Sequence, residues 1–222
     1  RTYDINQPYP EEFNRTAVSR ITDIHLCPTE HSKQNLLDEK VGGHKYVVGN
    51  TVLDNLVDIE TSYTNDVIVT MHRRENHFQI KEYFEVIDKL ANDNPDLNFV
   101  LPIHPNPNVS KYRDILRFVD VIKPVPYNEM LNMLANCKMI ISDSGGIQEE
   151  ASFFNKKVIV CRKVTERPES LGTHSFICNG PPELEPLFYD VIRNYKTDAP
   201  CPYGDGHSSD RIVKVLEEIF NV

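Results

Sequence analysis

Two short polar runs, each closing an apolar run, hold the residues of this chain best able to do chemistry. The first is Ser142-Asp143-Ser144-Gly145-Gly146-Ile147-Gln148-Glu149-Glu150, which follows Met139-Ile140-Ile141. Ser144, Gly145 and Gly146 predict a tight turn from a strand into a helix. Glycines at such a turn let a ligand approach the backbone without meeting a Cβ. The opening turn of a helix offers unpaired N–H groups and a partial positive charge, a natural seat for phosphate. Glu150, about one helical turn further on, is placed to accept hydrogen bonds from ribose hydroxyls. The second run is His72-Arg73-Arg74-Glu75-Asn76, which follows the apolar stretch Asp66–Met71. His72 is a candidate general acid or base near neutral pH. Arg73 or Arg74 can hold a phosphate or a carboxylate through two hydrogen bonds.

Two further loops share this pattern. His104 lies in Pro102-Ile103-His104-Pro105-Asn106-Pro107-Asn108, a segment stiffened by its prolines, and Arg167 lies in the charged run Arg162–Glu169. Each of the four loops also has a plainer account. They are a Gly-rich β–α turn, a solvated loop with a Glu–Arg pair, a histidine in a fixed turn, and a surface ion-paired loop of little energetic weight. Four strands that each end in polar, loop-fixing residues favour one shared anion pocket over four unrelated turns.

The elements that must position these loops alternate along the chain. Short β-branched runs predict strands at Thr22–Leu26, Lys45–Val48, Asp66–Met71, Leu97–Ile103, Val119–Pro124, Met139–Ser142, Lys157–Cys161 and His174–Cys178. Helical spacing of Ile80, Tyr83, Phe84, Ile87, Leu90 and Ala91 predicts one amphipathic helix. Others are expected over Tyr127–Ala135, Ile147–Phe154 and Leu184–Tyr195. A final helix, at the end of the chain, carries Ile212, Val215, Leu216 and Ile219 on one face, with Ser208 as its N-cap. Strand–helix–strand alternation at this spacing implies right-handed βαβ units, hence an α/β fold with a doubly wound parallel sheet. In such a sheet ligands bind beyond the carboxyl ends of the strands, where the four loops fall. The Gly49-Asn50 turn and the Pro/Gly-rich run 199–206 divide the chain into 1–50, the end of an earlier Rossmann-like domain; 51–205, a nucleotide-binding Rossmann-like domain; and 206–222, a helix returning to the first.

The bulk composition narrows the options. The chain has 222 residues, 40% of them hydrophobic, and a formal charge of -9 from 24 basic and 33 acidic side chains. That balance argues against a broad nucleic-acid surface, which needs clustered Lys and Arg, while leaving room for a small anion held locally. Five cysteines without a CxxC pair predict neither a zinc site nor a disulfide framework, and a reducing, cytoplasmic setting. No apolar run approaches the ~18 residues of a membrane span, and no signal peptide is visible. The chain opens on Arg1 rather than Met, as a fragment would.

Together the loops resemble the non-hydrolysing UDP-N-acetylglucosamine (UDP-GlcNAc) 2-epimerase family. The stretches that carry the resemblance are Pro8–Arg15, Pro28-Thr29-Glu30, Gly49-Asn50-Thr51, His72–Asn76, His104–Asn108, Ser142–Ala151, Thr165–Glu169 and Pro202–Gly206, nearly the whole chain in the family's order. The resemblance implies a glycosyltransferase-B-like fold with the nucleotide in the cleft between two Rossmann-like domains, the first present here only as a remnant. It implies anti elimination of UDP to a 2-acetamidoglucal and re-addition with C2 inverted, giving UDP-N-acetylmannosamine (UDP-ManNAc), with neither cofactor nor metal. It assigns catalysis to His72 and Glu11. Ser144, Gly145 and Gly146 fall to the diphosphate, Glu150 to the ribose and Arg73 to the substrate. Arg74 and His104 resemble positions near a second UDP-GlcNAc that activates some members; these two and Arg167 fall either to that site or just behind the residues that hold the substrate. A cytoplasmic homodimer in cell-surface polysaccharide synthesis is implied as well. The segment between Asn55 and Asp66 is short for the family, and the family's N-terminal domain is largely absent, so this chain by itself is expected to be inactive. A nucleotide-sugar binding module without catalysis, and a hydrolysing epimerase that releases free sugar, remain as alternatives.

Overall fold

A computed structural model describes residues 1–6 and 9–221; Pro8, the first residue of the Pro8–Arg15 stretch, lies outside them. The chain forms two compact units, Arg1–Asp58 with Cys201–Val222, and Ile59–Pro200. The sequence pointed to divisions near residues 50 and 205; these units divide after Asp58 and Pro200.

The first unit holds α1 (Glu11–Ser19), β1 (Ile24–Cys27), α2 (Glu30–Asp38) and β2 (His44–Val47). β1 and β2 pair in parallel, Ile24 opposite His44. The second unit runs β3 (Asp66–Thr70), α3 (Ile80–Asp93), β4 (Asn98–Pro102), α4 (Pro107–Ser110), β5 (Asp120–Ile122), α5 (Tyr127–Asn136), β6 (Met139–Ser142), α6 (Gly145–Phe153), β7 (Val158–Val160), β8 (Ser175–Ile177) and α7 (Pro181–Arg193). The chain then re-enters the first unit with α8 (Ser208–Phe220).

All six strands of the second unit are parallel, in the order β5-β4-β3-β6-β7-β8. Within the unit the path starts at β3, steps outward to β5, and returns to the other side of β3 with β6. This is the Rossmann order, and the reversal between β3 and β6 is its ligand-binding switch point. The doubly wound α/β expectation therefore holds. The central strands are apolar on both faces: Val67, Ile68, Val69, Met139, Ile140 and Ile141 are all buried, as strands covered by helices on both sides must be. On α3, each of the six residues picked out by helical spacing is buried. Side chains such as Phe84, Ile87 and Leu90 contribute about 1.5–3 kcal/mol apiece through burial.

Lys156, just before β7, is fully buried. Its Nζ lies 3.5 Å from the centroid of the Tyr63 ring and donates to the Ser62 carbonyl. Burial lowers its pKa to about 8 from 10.5. A lysine whose folded pKa is depressed costs stability wherever both states carry the proton, below pH 8, and the cost is relieved as pH climbs towards the unfolded value. The wild type should therefore gain about 3 kcal/mol relative to Lys156→Met between pH 7.5 and 10.5. Denaturant midpoints of the two proteins across that range measure it, and parallel curves would remove the buried charge from the account.

In the first unit the structure corrects one expectation. Ser208 is not the N-cap of α8; His207 holds that position and its side chain caps nothing. Asp54 does the work from far along the chain, accepting the N–H of Ser208 (2.9 Å) and Ser209 (2.6 Å). Ser208 is instead buried beside Gly49. Gly49 has φ +91°, and a Cβ on it would meet the Ser208 Oγ at 2.5 Å, so the Gly-Asn turn requires its glycine. Asp54→Ala leaves two helix-end donors uncapped and should lower stability by about 1–2 kcal/mol. An unchanged urea midpoint for that variant would show the cap to be idle.

Candidate functional site

The site is built at the switch point of the second unit. β3 and β6 lie in register, Thr70 opposite Ser142, and their hydroxyls hydrogen-bond at 2.7 Å. The next residues, Met71-His72-Arg73 and Asp143-Ser144-Gly145, therefore leave the sheet side by side. Asp143 is completely buried. Its Oδ1 and Oδ2 accept the N–H of His72 at 3.1 and 3.0 Å, and Oδ2 also accepts the N–H of Arg73 at 2.8 Å and Nδ2 of Asn76 at 3.1 Å. The Asn76 amide also donates to the Cys161 carbonyl at 2.9 Å, which brings in the end of β7. One buried carboxylate thus organises the His-Arg-Arg-Glu-Asn loop, and charge-assisted bonds of this kind are the strong ones.

The His72 side chain is 38% exposed, with Nδ1 3.6 Å from Asp143 Oδ1. Its ring stacks on His104 at 5.5 Å, and His77 Nε2 lies 3.3 Å from its carbonyl. Burial holds the His72 imidazole below its ordinary value of 6.5. Asp143 opposes that, while His104, Arg73 and His77 add to it. A neutral imidazole at pH 7 is free to accept a proton.

On the β6 side, α6 begins at Gly145 itself, two residues earlier than its apolar spacing suggested, and Ser144 takes the N-cap position. Ser144 donates its N–H to the Ser142 Oγ at 2.9 Å. The N–H groups of Gly145 and Gly146, in the first turn, have no intrahelical acceptor. A Cβ on Gly146 would meet nothing within 4 Å, whereas one on Gly145 would lie 2.5 Å from Arg167 Nη1. Arg167 is held over this helix end by Glu149 (2.7 Å) and Glu166 (2.6 Å). Glu166 also accepts from Arg162 Nη1 at 2.9 Å, and Arg162 Nε reaches Glu75 at 2.7 Å. Burial pushes the Glu166 carboxyl up, but Arg162, backbone bonding, Arg167 and Arg73 together hold it below its ordinary value. The Nε of Arg73 is buried and makes no hydrogen bond among the described residues.

Glu150 is buried on the same helix and accepts from the Tyr127 hydroxyl at 2.8 Å. Burial raises its carboxyl; it raises the Tyr127 phenol too, to about 12, with help from the bond to Glu150. His104 is exposed and accepts the Asn106 N–H at 3.1 Å. Arg74 is exposed at the start of a short 3-10 turn. Glu11 is exposed in the first turn of α1, in the first unit, while its neighbour Glu12 is buried against Arg15. The second unit therefore gathers His72, Arg73, His104, Ser144, Gly145, Gly146, Glu150 and Arg167 around adjoining strand ends. Asp143, Asn76 and Tyr127 belong to this network and went unnoticed in the sequence.

Residues 1–217 match the family model described as UDP-N-acetylglucosamine 2-epimerase. The chain belongs to that family. The curated UDP-GlcNAc 2-epimerase of Neisseria meningitidis serogroup A is 36% identical over 97% of this chain and 67% of its own length; that of Salmonella typhimurium is 36% identical over 98% and 66%. Among solved structures, the N. meningitidis UDP-GlcNAc 2-epimerase bound to UDP-GlcNAc superposes with a TM-score of 0.87 at 35% identity, covering 98% of this chain and 67% of that one. The S. aureus MnaA–UDP co-structure gives 0.85 at 33%, covering 100% and 67%. The chain thus spans about two thirds of the length of the epimerases it matches. The Neisseria alignment runs over 252 positions against 222 residues here, so that relative carries at least 30 residues which this chain skips within the matched span. No described helix of the chain is long and apolar enough to cross a membrane.

Proposed function

We propose that the protein interconverts UDP-GlcNAc and UDP-ManNAc by eliminating and re-adding UDP, with this chain carrying the nucleotide-binding half of the enzyme. The observation that carries the reading is the pairing of a part-exposed His72 with an open helix start at Gly145-Gly146 on either side of one switch point. In the forward step a base takes the proton from C2, the C1–O bond breaks, and its electron pair leaves with UDP. The sugar is left with a C1=C2 double bond. The reverse addition returns a proton to C2 from the opposite face as the UDP oxygen closes on C1. The elimination needs a proton-handling group and concentrated positive charge at the leaving diphosphate. His72 supplies the first. The first-turn amides of α6, the unpaired Arg73 Nε and the Arg167 guanidinium supply the second.

Glu150, with one oxygen held by Tyr127, keeps the other for the ribose hydroxyls. His104 and Arg74 are read as the edge of a second UDP-GlcNAc site. Glu11 remains a catalytic candidate on its own unit. Buried free thiols at Cys27, Cys137, Cys161 and Cys178 support a cytoplasmic setting.

Incubating the full-length protein with UDP-GlcNAc in heavy water tests the proposal. Deuterium should appear at C2 of sugar still linked to UDP. Binding without exchange would leave a module without catalysis, and free N-acetylmannosamine as the main product would mean a hydrolysing enzyme.

A further inference from the structure

Asp143 is the one fully buried carboxylate among the described residues that takes two consecutive backbone N–H groups of the catalytic loop, those of His72 and Arg73. We propose that Asp143 is a positioning residue for His72: it fixes the angle at which the imidazole leaves β3 and faces its Nδ1 edge, leaving Nε2 for the substrate. This rests on the reading of His72 as catalytic.

Three observations carry it. First, the carboxylate spends both oxygens on donors of one loop, His72, Arg73 and Asn76, and among the described residues no Lys or Arg side chain pairs with it. A buried carboxylate satisfied by neutral donors keeps its field for whatever else stands near. Second, what stands near is the imidazole, 3.6 Å away at Nδ1. That is too long for a hydrogen bond, but catalytic contacts commonly tighten only once substrate is bound. Third, the other groups facing His72 push its charge the opposite way: His104 stacks on its ring, and Arg73 and His77 flank it. Among the described residues, Asp143 is the only facing group that stabilises an imidazolium formed when His72 takes a proton. A carboxylate behind an imidazole performs the same service in other acid–base sites, fixing tautomer and orientation.

A clamp that merely held the loop would behave differently, and a double-mutant cycle in the full-length protein separates the two. Asp143→Asn should lower kcat by about 10²-fold with UDP affinity within about threefold of wild type. In a His72→Ala background the same change should cost less than about threefold, because its route is already cut. An equal loss in both backgrounds would overturn the proposal, as would a Kd for UDP that worsens in step with kcat. If His72→Ala alone keeps near-wild-type turnover, it is the catalytic reading of His72 that fails, whatever Asp143 does. If Asp143→Asn does not fold, nitrogen-15 NMR of the wild-type protein decides. Neutral His72 should carry its proton on Nδ1; a proton on Nε2 overturns the assignment.

Discussion

His72→Ala in the full-length protein is expected to lower turnover by about 10³-fold while UDP binds within about threefold of wild type. The size follows from what a positioned acid or base contributes, roughly 4 kcal/mol of transition-state stabilisation here. The selectivity follows from geometry. The His72 backbone is pinned by Asp143 through its N–H, and alanine keeps that N–H, so the loop and the Arg73 beside it should stay in place. The α6 amides that would hold the diphosphate lie on a different strand end and lose nothing. The pH profile supplies an independent check. Because burial, outweighing Asp143, holds the imidazole below 6.5, His72 stays neutral, and competent as a base, further into acid than a free histidine. The acid limb of kcat/KM should therefore fall below pH 6.5 and vanish from the residual activity of the variant. Turnover near wild type, or an acid limb above pH 6.5 that survives the substitution, would take His72 out of the chemistry.

How much of this was legible beforehand differs by element, and for physical reasons. The central strands β3, β6 and β7 could be placed because each is an apolar run buried on both faces, and burial of that kind leaves its mark residue by residue. Their ends could not: Lys157–Cys161 contracts to Val158–Val160 because only those residues find partners on both β6 and β8. α2 went unread because it buries little more than Asn35 and Leu36; its surest mark is the Thr29 side chain accepting from the Ser32 N–H, a cap signal present in Pro28-Thr29-Glu30. The loops that end the strands were visible as residue types, since His, Arg and Gly-Gly are unusual there. Asp143 was not, although it sits inside the most conspicuous motif. An acidic residue in a loop reads as solvated, and next to a phosphate seat it reads as a misfit. Its role is set by donors some 70 residues earlier. Asp54 is the same case at greater range: its two acceptor bonds to α8 span more than 150 residues. Periodicity reports which face is buried, but it carries no information about which distant donor a single carboxylate meets.

Gly146→Ala should leave the protein as stable as wild type or slightly more so, and yet weaken UDP by at least about tenfold. The two halves of that expectation have separate causes. Gly146 lies in the first turn of α6 with ordinary helical backbone, and a Cβ there meets no protein atom within 4 Å. Alanine replaces glycine in a helix at a gain of about 0.5–1 kcal/mol. No fold requirement therefore explains a glycine at this place. A diphosphate does: an oxygen accepting a first-turn N–H sits about 2.9 Å from the nitrogen, in the open space that a methyl group would enter. Gly145 makes the poorer test. A Cβ there would lie 2.5 Å from Arg167 Nη1 and 3.0 Å from Glu166 Oε1, so Gly145→Val should weaken UDP while also displacing the protein's own ion pairs, and the two losses would be confounded. Thermal midpoints and calorimetric UDP titrations of the two variants side by side resolve the matter. Should Gly146→Ala bind UDP as the wild type does, the amides of α6 are not where the diphosphate sits, and the positive charge for the leaving group must be sought at Arg73 and Arg167 alone.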